Sequence, residues 1–221
     1  SPSNYFGAPL ITQNSPNIGR FYPDRLEATI ENGEFENNLC SNAFTFAGQT
    51  FGYSTTPQIT VTAYNANGTN TSDITKNYTG DFAKLELADF SPTTPTTDAE
   101  AIRADATPVT FTSTLTLVDN TLTENNGVHV YEFGDHAYSY DKNDSNKVDA
   151  FTNKIRFNLP GITDDDGIQV SVPNGNGGFV LGGDMTIEPI GGAIRFGRLA
   201  IANAHGSELA DLPITIQSEY F

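Results

Sequence analysis

The sequence has little cysteine and little positive charge. Cys40 is the only cysteine among 221 residues, so no disulfide can form within the chain and no CxxC zinc motif is present. The 11 Lys and Arg residues are outnumbered by 27 Asp and Glu residues, which gives a formal net charge of −16. This acidity argues against nucleic-acid binding, because attraction to phosphates needs a basic surface.

Long apolar runs and linear catalytic motifs are also missing. The sequence has no apolar stretch of about 18 residues, so it predicts no membrane-inserted segment. It contains no GxSxG, HExxH or phosphate-loop motif, and its 3 His residues offer few zinc ligands. We therefore expect a protein that is not an enzyme. A hydrolase with two catalytic carboxylates stays open as an alternative, because such a pair produces no recognisable sequence motif.

Glycine and aromatic residues are abundant instead. The chain has 20 Gly, 15 Phe and 9 Tyr, a composition that favours strands and turns over helices. Gln58–Tyr64 is the clearest predicted strand, since Ile59, Val61 and Ala63 alternate with residues of the opposite face. About a dozen strand-like segments, one of them at 81–87, recur at a spacing of roughly 8–15 residues. The sequence therefore predicts an all-β protein of one or two immunoglobulin-like antiparallel β-sandwiches.

The chain divides into an arm and two predicted β domains. Residues 1–18 are rich in Ser, Pro, Asn and Gly without periodicity, which predicts an extended arm or linker. We place an immunoglobulin-like β domain at 19–107 and a second β-sandwich domain at 108–221, and one elongated domain is the alternative. Near the boundary, residues 98–105 are predicted to form a short helix, because Asp98 is a favourable N-cap residue.

The end of the sequence carries its most specific pattern. Two strand-like segments flank a polar turn, with GRL at 197–199, NAHGSEL at 203–209 and a final Tyr-Phe pair. This arrangement resembles the carboxy-terminal domain of MshQ-like proteins, which belong to the mannose-sensitive haemagglutinin pilus locus of Gram-negative bacteria. The blocks that carry the resemblance lie at 19–26, 44–51, 59–84 and 195–221, and the third also resembles bacterial immunoglobulin-like repeats.

The resemblance implies a structural or adhesive module of a bacterial surface fibre or a pilus-associated protein, without enzymatic activity. Such a module would work outside the cell or at the cell surface of a Gram-negative bacterium. Its partners would be other surface-fibre or pilus proteins. The family brings no catalytic residues to this chain.

An Asp- and Asn-rich loop is the best candidate for a metal site. Oxygen-bearing side chains at Asp141, Asn143 and Ser145 follow the first, third and fifth positions of a calcium loop, and Asp149 falls at the ninth. The twelfth position is Thr152 where a calcium loop has a bidentate Glu. The pattern predicts a Ca²⁺ site, and a solvated polar loop is the alternative.

Aromatic residues precede this loop and suggest a second function. Tyr131, His136, Tyr138 and Tyr140 lie close to it in sequence, and glycan sites combine exposed aromatic rings with Asn and Asp side chains. A calcium-dependent carbohydrate-binding domain is therefore the alternative function. The competing interpretation places these rings in a packed core, and the lack of Trp weakens the glycan case.

Two further features have simpler interpretations. Tyr78 is predicted to fill the interior of the sandwich, which is a packing role. The acidic turn at 164–167 is predicted to be a solvated loop tip, with a cation site as the alternative, because three adjacent carboxylates repel one another unless they are exposed or paired.

Overall fold

The computed structural model describes residues 22–36, 44–93, 96–97, 101–102, 108–109, 113–142, 148–207, 209 and 211–220. These residues form 20 strands and three short 3₁₀ helices at Thr71–Asp73, Gly80–Phe82 and Leu87–Asp89. The strands are β1 Arg25–Glu31, β2 Glu34–Phe35, β3 Phe44–Phe46, β4 Tyr53–Thr55, β5 Gln58–Tyr64, β6 Thr96–Thr97, β7 Ala101–Ile102, β8 Pro108–Val109, β9 Ser113–Thr116, β10 Thr121–Asn125, β11 Val128–Glu132, β12 Ala137–Tyr140, β13 Phe151–Thr152, β14 Ile155–Leu159, β15 Val170–Pro173, β16 Phe179–Leu181, β17 Met185–Ile187, β18 Ala193–Arg195, β19 Gly197–Ile201 and β20 Ile216–Tyr220.

The largest sheet has six strands in the order β10-β11-β5-β1-β15-β16. The predicted strand at β5 lies inside this sheet, and its alternating residues Ile59, Val61 and Ala63 are completely buried. Period-2 alternation places these side chains on one face, where they pack into the core. The prediction of an all-β sandwich fold is confirmed.

Two strand pairings depart from the predicted antiparallel arrangement. β1 runs parallel to β15, with Leu26 opposite Val170, and β3 runs parallel to β18, with Phe44 opposite Ala193. Parallel neighbours need long crossover connections, and both pairs join residues that are far apart in sequence. The other strand pairs in the described part of the chain are antiparallel.

Strands on the two sides of residue 107 pair with one another. β11 lies beside β5, β15 beside β1, and β18 beside β3. The main hydrophobic cluster combines residues from both sides, among them Leu26, Ile59, Tyr131 and Ile155. Strands from both sides of the predicted boundary therefore lie in the six-stranded sheet and contribute to one core, while the predicted arm at 1–18 lies outside the described residues.

The prediction of a short helix at 98–105 is wrong for the two residues of that range that the structure describes. Ala101–Ile102 forms strand β7 and pairs with β8 at Pro108–Val109. The rest of that predicted helix lies outside the described residues. A favourable N-cap residue alone does not form a helix, because helix propensity stabilises a single helical turn too little to compete with strand pairing.

The strand predicted at 81–87 is also wrong. Two 3₁₀ helices occupy Gly80–Phe82 and Leu87–Asp89, with an irregular segment between them. The Asp89 carboxylate accepts a hydrogen bond from the Glu86 N–H at 2.7 Å, which closes the second turn. This local side-chain bond to the backbone competes with strand formation.

Among the described residues, no helix has the length and apolar character needed to cross a membrane.

Candidate functional site

The four side chains predicted to bind a glycan are all buried. Tyr131, His136, Tyr138 and Tyr140 are between 0% and 2% exposed. Alternation within β11 and β12 directs the three Tyr rings to the core, since residues two apart share a face of a strand, and His136 directly precedes β12. A ring that binds a sugar needs an open face, so the burial favours the packing interpretation of these residues.

Tyr138 lies at the centre of an aromatic cluster. Its ring meets Phe35 at 5.1 Å between centroids and stacks near Phe51 at 5.8 Å. Its hydroxyl lies 2.7 Å from that of Tyr53, so one of the two buried phenols donates a hydrogen bond to the other. Ring contacts and one buried hydrogen bond therefore join four segments of the chain, those that contain Phe35, Phe51, Tyr53 and Tyr138.

The predicted calcium ligands are only partly within the described residues. Asp141 directly follows β12, and Asp149 lies shortly before β13, both with exposed side chains. Asn143 and Ser145 lie outside the described residues. No group of three His, Cys, Asp or Glu side chains close enough to hold a metal occurs in the described part of the chain. The Ca²⁺ site stays a prediction.

The acidic turn contains one buried carboxylate. Asp164 is almost fully buried, whereas its neighbours Asp165 and Asp166 are exposed. Its Oδ1 accepts hydrogen bonds from the N–H of Asp166 at 3.0 Å and of Ile168 at 2.8 Å, and its Oδ2 accepts one from the Tyr78 hydroxyl at 2.6 Å. These three bonds give the carboxylate a structural role in closing the turn.

Tyr78 ties this turn to the segment before the 3₁₀ helix at Gly80–Phe82. The residue is buried, in keeping with its predicted packing role, and its hydroxyl also accepts a bond from the Lys84 N–H at 3.3 Å. Burial and the neighbouring Asp164 carboxylate raise the pKa of Tyr78, so the phenol stays protonated as the donor. The Tyr78–Asp164 pair is thus a satisfied buried link between distant parts of the chain.

Two of the three histidines are buried. His129 on β11 is fully buried, with Nε2 3.5 Å from a carboxylate oxygen of Glu124 on β10. His136 accepts a hydrogen bond at Nδ1 from the Val118 N–H at 3.1 Å. Burial lowers the pKa of both imidazoles, and it outweighs the opposing effects of Glu124 and Asp135.

Stability is expected to fall as the pH drops below about 6.5, the ordinary histidine pKa. The folded-state pKa of His129 and of His136 is lowered, so the unfolded chain binds more protons in this window and is favoured there. Each imidazole contributes a slope of at most about 1.4 kcal/mol per pH unit. Urea unfolding at pH 7.5 and 5.5 measures the loss. His136→Gln is expected to flatten the slope, and an equal slope in this variant and the parent chain would contradict the prediction.

A small cavity opens beside His136. Its volume is about 240 Å³, and its lining includes Leu117, Val118, Asn120 and Phe157. The Asn120 amide is already used, because it donates to the Tyr131 hydroxyl at 2.7 Å and accepts from the Gly134 N–H at 2.8 Å. The cavity is smaller than the roughly 300–1,000 Å³ of typical ligand pockets, and two of its polar side chains are occupied by the protein itself.

The two edges of the six-stranded sheet differ in character. At one edge, β10 carries Thr121, Thr123 and Glu124, all exposed and polar. At the other, β16 consists of Phe-Val-Leu at Phe179–Leu181, and all three side chains are exposed. Polar and charged residues protect an edge strand from pairing with other chains, and β16 lacks them. The β16 edge is therefore the side of this sheet suited to strand addition.

The last two described strands form an exposed hairpin. β19 and β20 pair antiparallel with Leu199 opposite Ser218 and Ile201 opposite Ile216. The segment from β19 to β20 holds six exposed large apolar side chains, which are Leu199, Ile201, Leu209, Leu212, Ile214 and Ile216. The sequence predicted both strands, but it did not show that their apolar side chains would stay uncovered, because a strand pattern does not reveal what packs on its face.

Comparison with known proteins places the chain in a family. No curated protein and no solved structure matches it. The family model described as DUF6701, third domain, matches residues 1–180. This range includes β1 to β15 and most of the buried core, and it stops before the hairpin of β19 and β20. The chain belongs to the DUF6701 third-domain family.

Proposed function

We propose that this chain is a structural or adhesive module of a bacterial surface fibre or a pilus-associated protein, without enzymatic activity. The observation that carries the proposal is the exposed apolar edge strand β16. Soluble proteins rarely leave such an edge unprotected, because its free backbone groups are a template for another strand. The resemblance of the terminal blocks to MshQ-like proteins supports a setting at the surface of a Gram-negative bacterium.

Strand addition gives the module a physical means of assembly. An extended segment from a neighbouring module would continue the six-stranded sheet beyond β16, with backbone hydrogen bonds for affinity and Phe179 and Leu181 for side-chain contact. Residues 1–18, predicted as an extended arm, are the segment that we propose as the donor. The net charge of −16 opposes non-specific association, so contact between modules depends on specific apolar pairing.

The expected result of blocking β16 is a loss of assembly. Val180→Lys and Leu181→Lys put charges on exposed side chains of the edge, and we expect fibre assembly, scored by electron microscopy of the producing bacterium, to fall at least about tenfold, as for a loss of about 1.4 kcal/mol in association. Deletion of 1–18 is expected to have the same effect. The stability of the chain should change by only about 0.5 kcal/mol, as for other surface substitutions.

Thr123→Lys is the matched control, because it adds the same charge to the exposed opposite edge at β10. Equal loss of assembly in the β10 and β16 variants would contradict a specific role for β16. Unchanged assembly after deletion of 1–18 would rule out the arm as the donor.

A further inference from the structure

The hairpin of β19 and β20 has one apolar face without cover. Leu199, Ile201 and Ile216 share this face, because residues two apart on a strand and residues opposite one another across a pair lie on the same side. They are 72%, 65% and 62% exposed. We call these three residues the apolar hairpin face. A two-stranded hairpin is at best marginally stable in water unless its face packs against another element.

The opposite face of the hairpin is polar. Arg198 on β19 donates from Nε to Glu219 on β20 at 2.6 Å, and Gln217 is exposed nearby. The hairpin is therefore amphipathic, with an ionic face and an apolar face. This division is typical of a strand pair that has one side in solvent and the other against a partner surface.

The base of the hairpin is anchored to the rest of the molecule. A β-carbon at Gly197 would lie 2.6 Å from the Phe46 ring, so glycine allows β19 to pass close to the end of β3. Lys142 and Phe46 line a cavity of about 240 Å³ together with residues of both hairpin strands. The hairpin that carries the apolar hairpin face is therefore packed against Phe46 at its base.

The family match indicates which partner covers this face. The third-domain model ends at residue 180, and the hairpin begins at Gly197. A domain that is third in a series has other domains in the same polypeptide. The apolar hairpin face itself carries no charge, which suits an apolar partner surface.

We infer that the apolar hairpin face is a docking surface for a neighbouring β domain of the same polypeptide. The occupant is the apolar outer face of a sheet, which covers Leu199, Ile201 and Ile216 and fixes the orientation of two successive domains. The inference rests on the proposed function, since a module in a fibre must hold a defined angle to its neighbours. Leu212 and Ile214 in the connection between β19 and β20 enlarge the contact.

Hydrogen exchange of the backbone amides tests the inference. The chain 1–221 is compared with the natural polypeptide that holds this third domain and its neighbours. We expect the amides of β19 and β20 to exchange at least about tenfold more slowly in the natural polypeptide, which corresponds to about 1.4 kcal/mol of added protection. Leu199→Ser with Ile216→Ser in that polypeptide is expected to abolish the added protection. Gln217→Ser, on the polar face, is the matched control and is expected to keep it.

Two outcomes would overturn the inference. One is equal exchange of β19 and β20 in the two proteins. The other is protection in the chain 1–221 that increases with its concentration, since this would identify a second copy as the occupant. The proposed function is tested separately by fibre assembly with the β16 variants. Protection of the hairpin without any effect of those variants would remove the proposed function and leave domain docking standing.

Discussion

Replacement of Tyr138 by alanine is expected to lower the free energy of unfolding by about 3–5 kcal/mol, the range for removal of a large buried aromatic side chain. The ring is 2% exposed and contacts Phe35 and Phe51 in the centre of the core. Its loss leaves a cavity that the surrounding strands can fill only in part. It also removes the hydroxyl that lies 2.7 Å from Tyr53, so a buried phenol loses its hydrogen-bond partner.

Urea unfolding followed by far-ultraviolet circular dichroism measures this loss, since the chain has no Trp for fluorescence. Tyr138→Phe is the matched control, because it keeps the ring and removes only the hydroxyl, with an expected cost of about 1 kcal/mol. Tyr22→Ala, at a side chain that is largely exposed, should cost about 0.5 kcal/mol or less. Similar losses for the Ala and Phe variants of Tyr138 would contradict the importance of ring packing.

Replacement of Asp164 by alanine is expected to cost about 3 kcal/mol, since hydrogen bonds to a charged group contribute about 1.5–3 kcal/mol each and only part of that is lost after relaxation. The substitution removes the acceptor for the Tyr78 hydroxyl and for two backbone N–H groups of the turn. The Tyr78 phenol is left buried without this acceptor, which adds a desolvation penalty. The same urea experiment, at pH 7.5, measures the effect.

The adjacent Asp165 provides the control for this second prediction. Its side chain is exposed, and Asp165→Ala is expected to change stability by about 0.5 kcal/mol or less. In a double-mutant cycle, Tyr78→Phe and Asp164→Ala should be strongly non-additive, because both remove the same 2.6 Å bond. Additive losses, or equal losses at Asp164 and Asp165, would show that the buried link contributes nothing of its own.

Strict alternation in the sequence predicted local structure correctly at β5. The alternation of Ile59, Val61 and Ala63 predicted the strand Gln58–Tyr64 with the bounds that the structure shows. The prediction succeeded because a strand with one buried face alternates apolar and polar residues, and this period of two is visible in the sequence. The segment at 81–87 was also predicted as a strand, yet it is held in turns by the Asp89 carboxylate and by Glu124, which accepts from the Gly80 N–H at 2.8 Å. Contacts of this kind leave no periodic signal.

The candidate sites depended on burial, and burial depends on contacts between distant residues. For Tyr138 the sequence left an exposed glycan platform open as the alternative to a packed core, and the structure places its hydroxyl against Tyr53 and its ring against Phe35. Likewise, the acidic turn gave no sign that Asp164 alone would turn inward to meet Tyr78. The exposed strand β16 has three residues, which carry too little pattern to show whether either of its faces is covered.

The parallel pairing of β1 with β15 constrains how the chain can fold. Leu26, near the start of the described chain, reaches its partner Val170 only after most of the polypeptide exists. Long-range pairing of this kind makes folding slow, since a large loop must close before the contact forms. During synthesis, one side of β1 therefore stays unpaired until β15 has been made. A chain that completes its central sheet last leaves the edge of β1 open to incorrect pairing partners until Val170 is available.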